Sequence, residues 1–456
     1  MSDNTKYTRA VAVGIVRDNS KVDECSRSME ELSRLIDTAG GECVYKMIQI
    51  KSAYDPATCI GSGKVDELSR ICRDNSASLV VFDNELSPSQ IRNLEDRIGN
   101  DVSVIDRSML ILDIFALHAE SGEGKLQVEL AQLKYTAPRL IGKGESLSRQ
   151  EGRIGTRGPG ESKLESDRRH LKRRIASLEN ELSEMEKNRA TMRSARDRSS
   201  ITKVAIVGYT NAGKSTLLNR LTDAGVLVED KLFATLDPTT RRLDLPDGEC
   251  VLLTDTVGFI RNLPHHLIKA FKSTLDEAVY SDVILIVADA TDPDVEDELR
   301  VTRELLLSLG ASGKPTLIAY NKCEESDIRI FSNECDKENG GKDDIVDTIS
   351  ISAKNGKNID LLLEKLSSIV KRQKKRVIML FPYDRQSELN RLYSVATVDT
   401  VEYQEEGVRV IAVMDKKYIN QYKNFIQNND IISGRTNNKT ELYGITENNG
   451  DNSCNE

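Results

Sequence analysis

The chain has 456 residues, 38% of them hydrophobic and 30% charged, with a formal net charge of -9. That length exceeds one hydrophobic core and predicts two to four domains, while the acidic balance excludes a polycation and confines any nucleic-acid contact to a local patch. No run approaches the roughly 18 apolar residues that cross a bilayer, and the opening stretch MSDNTKYTRA lacks an apolar signal core, so a cytoplasmic protein with no integral membrane segment is expected.

Residues 8–138 alternate apolar strand-like runs with amphipathic helical stretches, which predicts a small, mostly parallel α/β domain over residues 1–138. Ala10–Val16 reads as a strand, Met29–Thr38 as a helix, Leu79–Phe82 as a second strand and Ser87–Ile98 as a further helix. Gly61-Ser62-Gly63-Lys64 superficially resembles a phosphate loop, but it lacks the four-residue spacer after the first glycine. The eight cysteines (Cys25, Cys43, Cys59, Cys72, Cys250, Cys323, Cys335 and Cys454) form no CxxC pair and lie beside no metal-spaced histidines, so reduced thiols are expected.

Leu126, Leu130 and Leu133 follow a 4-3 spacing, and so do Leu171, Ile175, Leu178, Leu182 and Met185. Such spacing places each set on one seam of a helix. Between the seams, Pro138–Gly160 carries glycines and two prolines that oppose regular structure. The reading is an antiparallel helical hairpin, residues 139–199 supplying a glycine-rich basic loop and a coiled-coil helix that pairs with about 120–137. From Arg139 to Arg174 there are eleven cations and five acids, a local excess of six. Glycine-rich backbone with interspersed arginines suits close contact with phosphates and stacking on bases. A solvated charged loop is the plainer alternative.

Residues 200–372 hold the chemistry-bearing motifs. Lys203–Val207 reads as a buried strand, followed by Gly208-Tyr209-Thr210-Asn211-Ala212-Gly213-Lys214-Ser215 and a helical stretch opening at Thr216. This is GxxxxGK[ST] in its required strand–loop–helix context. The glycines let backbone N–H groups turn inward around phosphate oxygens, and the following helix adds its positive end. Lys214 is expected to reach the β- and γ-phosphates, and the Ser215 hydroxyl to ligate Mg²⁺. An apolar strand, Val251–Thr254, ends at Asp255-Thr256-Val257-Gly258, where an acid can hold the magnesium shell and a glycine lets the backbone approach the terminal phosphate. Strands at Val283–Ala288, Thr316–Tyr320 and Ile349–Ser352 follow, the last two leading to Asn321-Lys322-Cys323-Glu324 and to Ser352-Ala353-Lys354. Loops at the carboxyl ends of successive strands build a nucleotide crevice in an open α/β sheet. Lys371–Arg376 reads as a basic connector, residues 373–430 as a small α+β domain with strands at Val377–Phe381, Val395–Tyr403 and Val408–Met414, and residues 431–456 as a disordered polar tail.

DTVG, NKxx and SAK after a phosphate loop resemble the motifs of translation-factor-class GTPases. Two longer passages narrow the resemblance to the HflX family. Phe233-Ala234-Thr235-Leu236-Asp237-Pro238-Thr239-Thr240-Arg241 resembles that family's first switch, and Leu147–Leu164 (LSRQEGRIGTRGPGESKL), followed by Glu165, Asp167, Arg168 and Arg169, resembles its glycine-rich signature. The resemblance covers about residues 8–430. It implies an N-terminal α/β domain with a helical hairpin, a P-loop GTPase domain whose mostly parallel sheet has flanking helices, and a small α+β C-terminal domain. It further implies GTP as substrate, with Gly208–Ser215 binding the phosphates, Ser215 and Thr235 as metal ligands for Mg²⁺, Phe233–Asp237 as the first switch and Asp255–Gly258 as the second. Lys214, Thr235 and Gly258 would act at the reacting phosphate, Asn321, Lys322 and Glu324 would read guanine, and Ser352–Lys354 would close over the base.

Family members bind the large ribosomal subunit, and some split stalled or idle ribosomes. The resemblance therefore implies ribosomal RNA as partner, with Arg149, Arg153, Arg157, Arg168 and Arg169 as contacts; a monomeric chain is expected. A GTP-dependent signalling switch with a protein or membrane-associated partner stands as the alternative. The chain departs from the family's pattern at Glu324, where Asp is usual and a further methylene displaces the guanine-reading fork, and at Arg153, where glycine is common. Phe259 occupies the position of a water-orienting Gln in small signalling GTPases, which predicts slow unassisted hydrolysis. Asn211 matches the P-loop Asn that supports K⁺-stimulated hydrolysis in some related GTPases.

Overall fold

Two parallel-type sheets organise the larger of two compact units, which takes in residues 1–196 and 201–369; residues 197–200 and 370–456 make up the second. This computed structural model describes residues 8–99, 101–140, 159–196, 201–222, 232–233, 238–261, 272–311, 313–324 and 345–427.

The first sheet contains β1 (Thr8–Val16), β2 (Gly41–Ile50), β3 (Leu79–Phe82) and β4 (Ser103–Asp106), all parallel in the order β2-β1-β3-β4. β1 is central and buried on both faces, which is why it reads as a continuous apolar run. Helices α1 (Val22–Thr38), α2 (Ser62–Asp74), α3 (Pro88–Ile98) and α4 (Arg107–His118) complete it. α1 begins seven residues before the expected Met29, because its first turns are polar and carry Asp23 and Glu24 at the helix's positive end. Ser87 closes α3 with a capping box: Gln90 N donates to Ser87 Oγ at 3.2 Å and Ser87 N to Gln90 Oε1 at 2.9 Å. The Gly61–Lys64 stretch opens α2, and the Lys64 ammonium pairs with Glu67 at 2.8 Å.

Next come α5 (Gly122–Leu140) and α6 (Pro159–Arg196). Glu123, near the start of α5, pairs with Arg189 far along α6, and Glu129 pairs with Arg174 nearer the start of α6, so the helices lie antiparallel; Lys134–Glu179 adds a third pair between them. Leu178 is fully buried and its seam neighbours are half-buried, while Val128 and Ala131 on α5 face the first sheet's core. Both ends of the expected irregular stretch Pro138–Gly160 are helical. Pro138 lies inside the last turn of α5, and Pro159 opens α6, where a missing N–H costs nothing. Residues 141–158, with Arg149, Arg153 and Arg157, lie outside the described residues.

The second sheet holds β5 (Thr202–Val207), β6 (Thr239–Asp244), β7 (Cys250–Asp255), β8 (Val283–Asp289), β9 (Thr316–Asn321) and β10 (Ile345–Ser350), in the order β10-β9-β8-β5-β7-β6. All neighbours are parallel except β6, an edge strand antiparallel to β7 that the sequence reading did not anticipate. Around it stand α7 (Lys214–Thr222), α8 (Lys272–Tyr280), α9 (Val295–Leu309) and α10 (Ile359–Gln373). One apolar core joins the two sheets of this unit, with Met29, Leu32 and Phe115 in the same cluster as Leu232, Phe233, Phe259 and Ile260.

The second unit is built on an antiparallel sheet, β11 (Lys374–Phe381), β13 (Gly407–Asp415) and β12 (Ala396–Gln404) in that order, with α11 (Gln386–Val395). Val377, Met379, Phe381, Val410, Ala412 and Tyr422 form its core. The expected basic connector at Lys371–Arg376 is not one: α10 runs to Gln373 and β11 starts at Lys374. The polar tail expected at 431–456 lies outside the described residues. Among the described residues no helix is long and apolar enough to cross a membrane.

Candidate nucleotide site

The phosphate loop leaves β5 and turns into α7. Gly208 has φ +147°, and a Cβ there would collide with the carbonyl of Val287 on β8; Gly213 has φ +93°, and a Cβ there would collide with Asn321 Nδ2. Both glycines are therefore demanded by close approach as well as by backbone conformation. Asn211 also has positive φ (61°) and lies exposed on the rim. Lys214 is only 6% exposed, and its Nζ donates to Tyr209 O at 2.8 Å. Burial pushes its ammonium down to about 8, against the attraction of Asp255 and Glu298. Thr216 follows in the first turn of α7.

Asp255, at the end of β7, is fully buried and accepts from Ser215 Oγ at 2.7 Å. A hydroxyl and a carboxylate oxygen in contact, beside an inward-turned loop, are hard donors of the kind Mg²⁺ takes. Thr256 Oγ1 donates to Ile206 O at 2.7 Å, fixing the strand end, and Val257 is buried. Gly258 presses against the phosphate loop: an added Cβ would lie 2.7 Å from Thr210 Cγ2 and 2.9 Å from Lys214 Nζ. The next residue is stitched to the loop by Phe259 N donating to Gly208 O at 3.0 Å and Thr210 N donating to Phe259 O at 2.8 Å. The candidate phosphate loop and second switch thus share one main-chain ladder.

At the far side, Asn321 Nδ2 donates to Ala212 O at 2.9 Å, while Asn321 Oδ1 accepts from Ala353 N at 2.9 Å. One buried side chain joins three of the expected loops. Lys322, at φ 68°, pairs with Asp289 at 2.6 Å. Cys323 N donates to Ile351 O at 3.1 Å, Ser352 is fully buried and accepts from Asn355 N at 3.2 Å, and Glu324 and Lys354 are exposed at the rim.

These loops are contiguous in space in the order the motifs require, and the comparisons decide the family. Residues 26–116 match the family described as GTP-binding GTPase N-terminal, 118–196 the GTP-binding GTPase Middle Region, and 203–322 the family described as 50S ribosome-binding GTPase. The GTPase HflX of Caldanaerobacter subterraneus subsp. tengcongensis is 47% identical over 418 residues, covering 92% of this chain and 94% of the relative. That of Escherichia coli (strain K12) is 40% identical over 388 residues, covering 84% and 89%. The chain belongs to the HflX family. It is a P-loop GTPase, an enzyme that binds and hydrolyses GTP.

In this HflX-family chain the first switch is only partly described. Ala234, Thr235, Leu236 and Asp237 lie outside the described residues. Phe233, expected at the nucleotide, is 3% exposed at φ 59°, and its ring stands edge-on to Phe115 of α4 at 4.7 Å. Its side chain is packing, and any part it takes in the switch falls to its main chain. Leu232 N donates to Thr38 Oγ1 at 3.2 Å, a second anchor on the N-terminal layer. Arg168 and Arg169 are exposed on α6.

Several residues around the site escaped the sequence reading. Tyr209 donates its hydroxyl to Glu31 Oε1 at 2.5 Å and accepts from Arg261 N, just after the second switch. Burial and then Glu31 push its phenol upward, so it stays a donor. Glu31 and Asp83 in turn hold the buried guanidinium of Arg107, Asp83 at 2.6 Å. Arg261 also pairs with Asp294 at 3.2 Å. Nothing local in the sequence marks Glu31, 178 positions from Tyr209; Asp289, at a strand's carboxyl end, could have been flagged by the crevice rule.

Proposed function

We propose that this GTPase works as a nucleotide-dependent switch on the large ribosomal subunit, with Lys214, Ser215, Asp255 and Gly258 sensing the terminal phosphate. The observation that carries the reading is the Ser215–Asp255 contact at 2.7 Å beside the buried Lys214, backed onto Gly258. Ser215 would hold Mg²⁺ directly, with Thr235 joining it in the triphosphate state and Asp255 ordering the ion's water shell; the ion would neutralise charge on the β- and γ-phosphates. Phosphate oxygens would likewise return the Lys214 ammonium to its full charge.

Gly258 lies so close to the loop that a terminal phosphate changes its main-chain surroundings directly. Phe259 carries that change to Tyr209 and Arg261 through the ladder already described. Its phenyl ring is buried and has no group to orient water, so the isolated chain would hydrolyse GTP slowly and faster when a partner orders the switches. Asn321 and Lys322 would read guanine, with Glu324 at the rim and Ser352–Lys354 closing over the base.

The partner is inferred from the residue 203–322 match to a ribosome-binding GTPase family and from the basic stretch from Arg139 to Arg174, which includes Arg168 and Arg169. The test is co-sedimentation with ribosomal subunits in GDP against a non-hydrolysable GTP analogue. Expected are large-subunit binding favoured by the analogue, a steep loss with added salt, and loss of binding without loss of nucleotide affinity when Arg149, Arg153 and Arg157 are replaced together. Binding that ignores salt and survives the triple replacement would instead favour a protein partner.

A further inference from the structure

Arg220 lies on α7, six residues after Lys214, and no motif includes it. Its Nε donates to Ala353 O at 3.1 Å, and its Nη2 donates to Lys354 O. One planar guanidinium therefore takes two consecutive carbonyls of the Ser352–Lys354 turn, a fork that an ammonium cannot reproduce. Gly356, with φ +81°, brings the same turn against it: a Cβ there would lie 3.7 Å from Arg220 Cζ.

The same turn is held from the other side. Ala353 N donates to Asn321 Oδ1, and Asn321 Nδ2 reaches back to Ala212 O in the phosphate loop, both at 2.9 Å. The connections close a ring: phosphate loop, Asn321, Ala353, Arg220, and α7 back to Lys214. We infer that Arg220 is a positioning residue that fixes the base-closing turn to the helix carrying the phosphate lysine, and so sets how long the nucleotide stays bound. This rests on the proposal above that Ser352–Lys354 cover the base. Because its hydrogen bonds go to main-chain atoms on the base side, Arg220 acts on GDP and GTP alike. Among the described residues its side-chain hydrogen bonds go to the base-closing turn and not to the second switch, so it governs release and not bond cleavage.

Arg220 is exposed as a residue, and its replacement opens no core cavity. The experiment measures release of fluorescently labelled GDP from the full chain, chased with unlabelled GDP, in the parent, Arg220→Gln and Arg220→Lys. Losing two hydrogen bonds is expected to speed release about tenfold in Arg220→Gln. Arg220→Lys, keeping one donor and the charge, should fall between it and the parent. The affinity loss should be the same for GDP and GTP, competition by inorganic tripolyphosphate should be unaffected, and kcat at saturating GTP should change far less than the release rate. Unchanged release in Arg220→Gln, or an equal loss of tripolyphosphate binding, overturns the inference. A parent whose GDP binding ignores Lys214→Ala overturns the site assignment itself, a separate result read from a separate variant.

Discussion

Lys214 and Glu298 are buried titratable side chains behind the phosphate loop, 6% and 8% exposed, and burial drives each toward its neutral form. For Glu298, burial is the largest cause, Asp292, Asp289 and Glu31 add to it, and Arg261 opposes; the carboxyl is pushed up to about 8 from an unfolded value of 4.5. Its folded value is the higher one. Its contribution to stability is therefore full below pH 4.5 and is lost as pH rises through about 8. Glu298→Gln removes that ionisation while keeping the shape. The variant is expected to melt a few degrees above the parent at pH 8.5 and to show a flatter dependence of Tm on pH between 5 and 8. Identical pH profiles for parent and variant would show that Glu298 does not titrate in this window.

At the scale of elements, the first switch is entered from an anchored root. Phe233 sits edge-on to Phe115, and Leu232 is bonded to Thr38, so the segment before Ala234 is tied to α4 and α1. Phe115→Ala leaves a cavity at that root and is expected to lower unfolding free energy by about 3–5 kcal/mol, seen as a lower urea midpoint at an unchanged slope. A loss below about 1 kcal/mol would mean the ring pair adds little. The same segment shows what the sequence could reveal. Gly208–Ser215, the strand ends at Asp255 and Asn321, and the heptad seam through Leu178 were legible because their constraints are local: close approach, a helix start, a fixed spacing. The packing of the Phe233 ring was not legible because its direction depends on a ring 118 positions earlier. β6 was missed because its Thr239–Asp244 run is largely exposed and owes its order to pairing with β7. Arg220 and Glu31 were invisible for the same reason, since their partners are 133 and 178 positions away.

For the molecule as a whole, the larger unit is compact around a shared core, with the phosphate loop at the junction of its two sheets. Tyr209 sits in that junction, bonded to the N-terminal layer through Glu31 and to the chain after the second switch through Arg261 N. A change at Gly258 is therefore felt where the two layers meet. Arg168 and Arg169 belong to the same unit, on α6. Ribosome binding that depends on the nucleotide is the outcome this continuity leads us to expect.

Lys214, Ser215 and Asp255 are proposed above to form a magnesium-dependent triphosphate sensor. Isothermal calorimetry of GTP binding, with and without Mg²⁺, in the parent and in Lys214→Ala, tests it most directly. Expected is binding strengthened by Mg²⁺ in the parent and weakened about ten- to a hundredfold in the variant, the loss typical of a charged hydrogen-bond donor. Equal affinity in parent and variant, or binding indifferent to Mg²⁺, would contradict it.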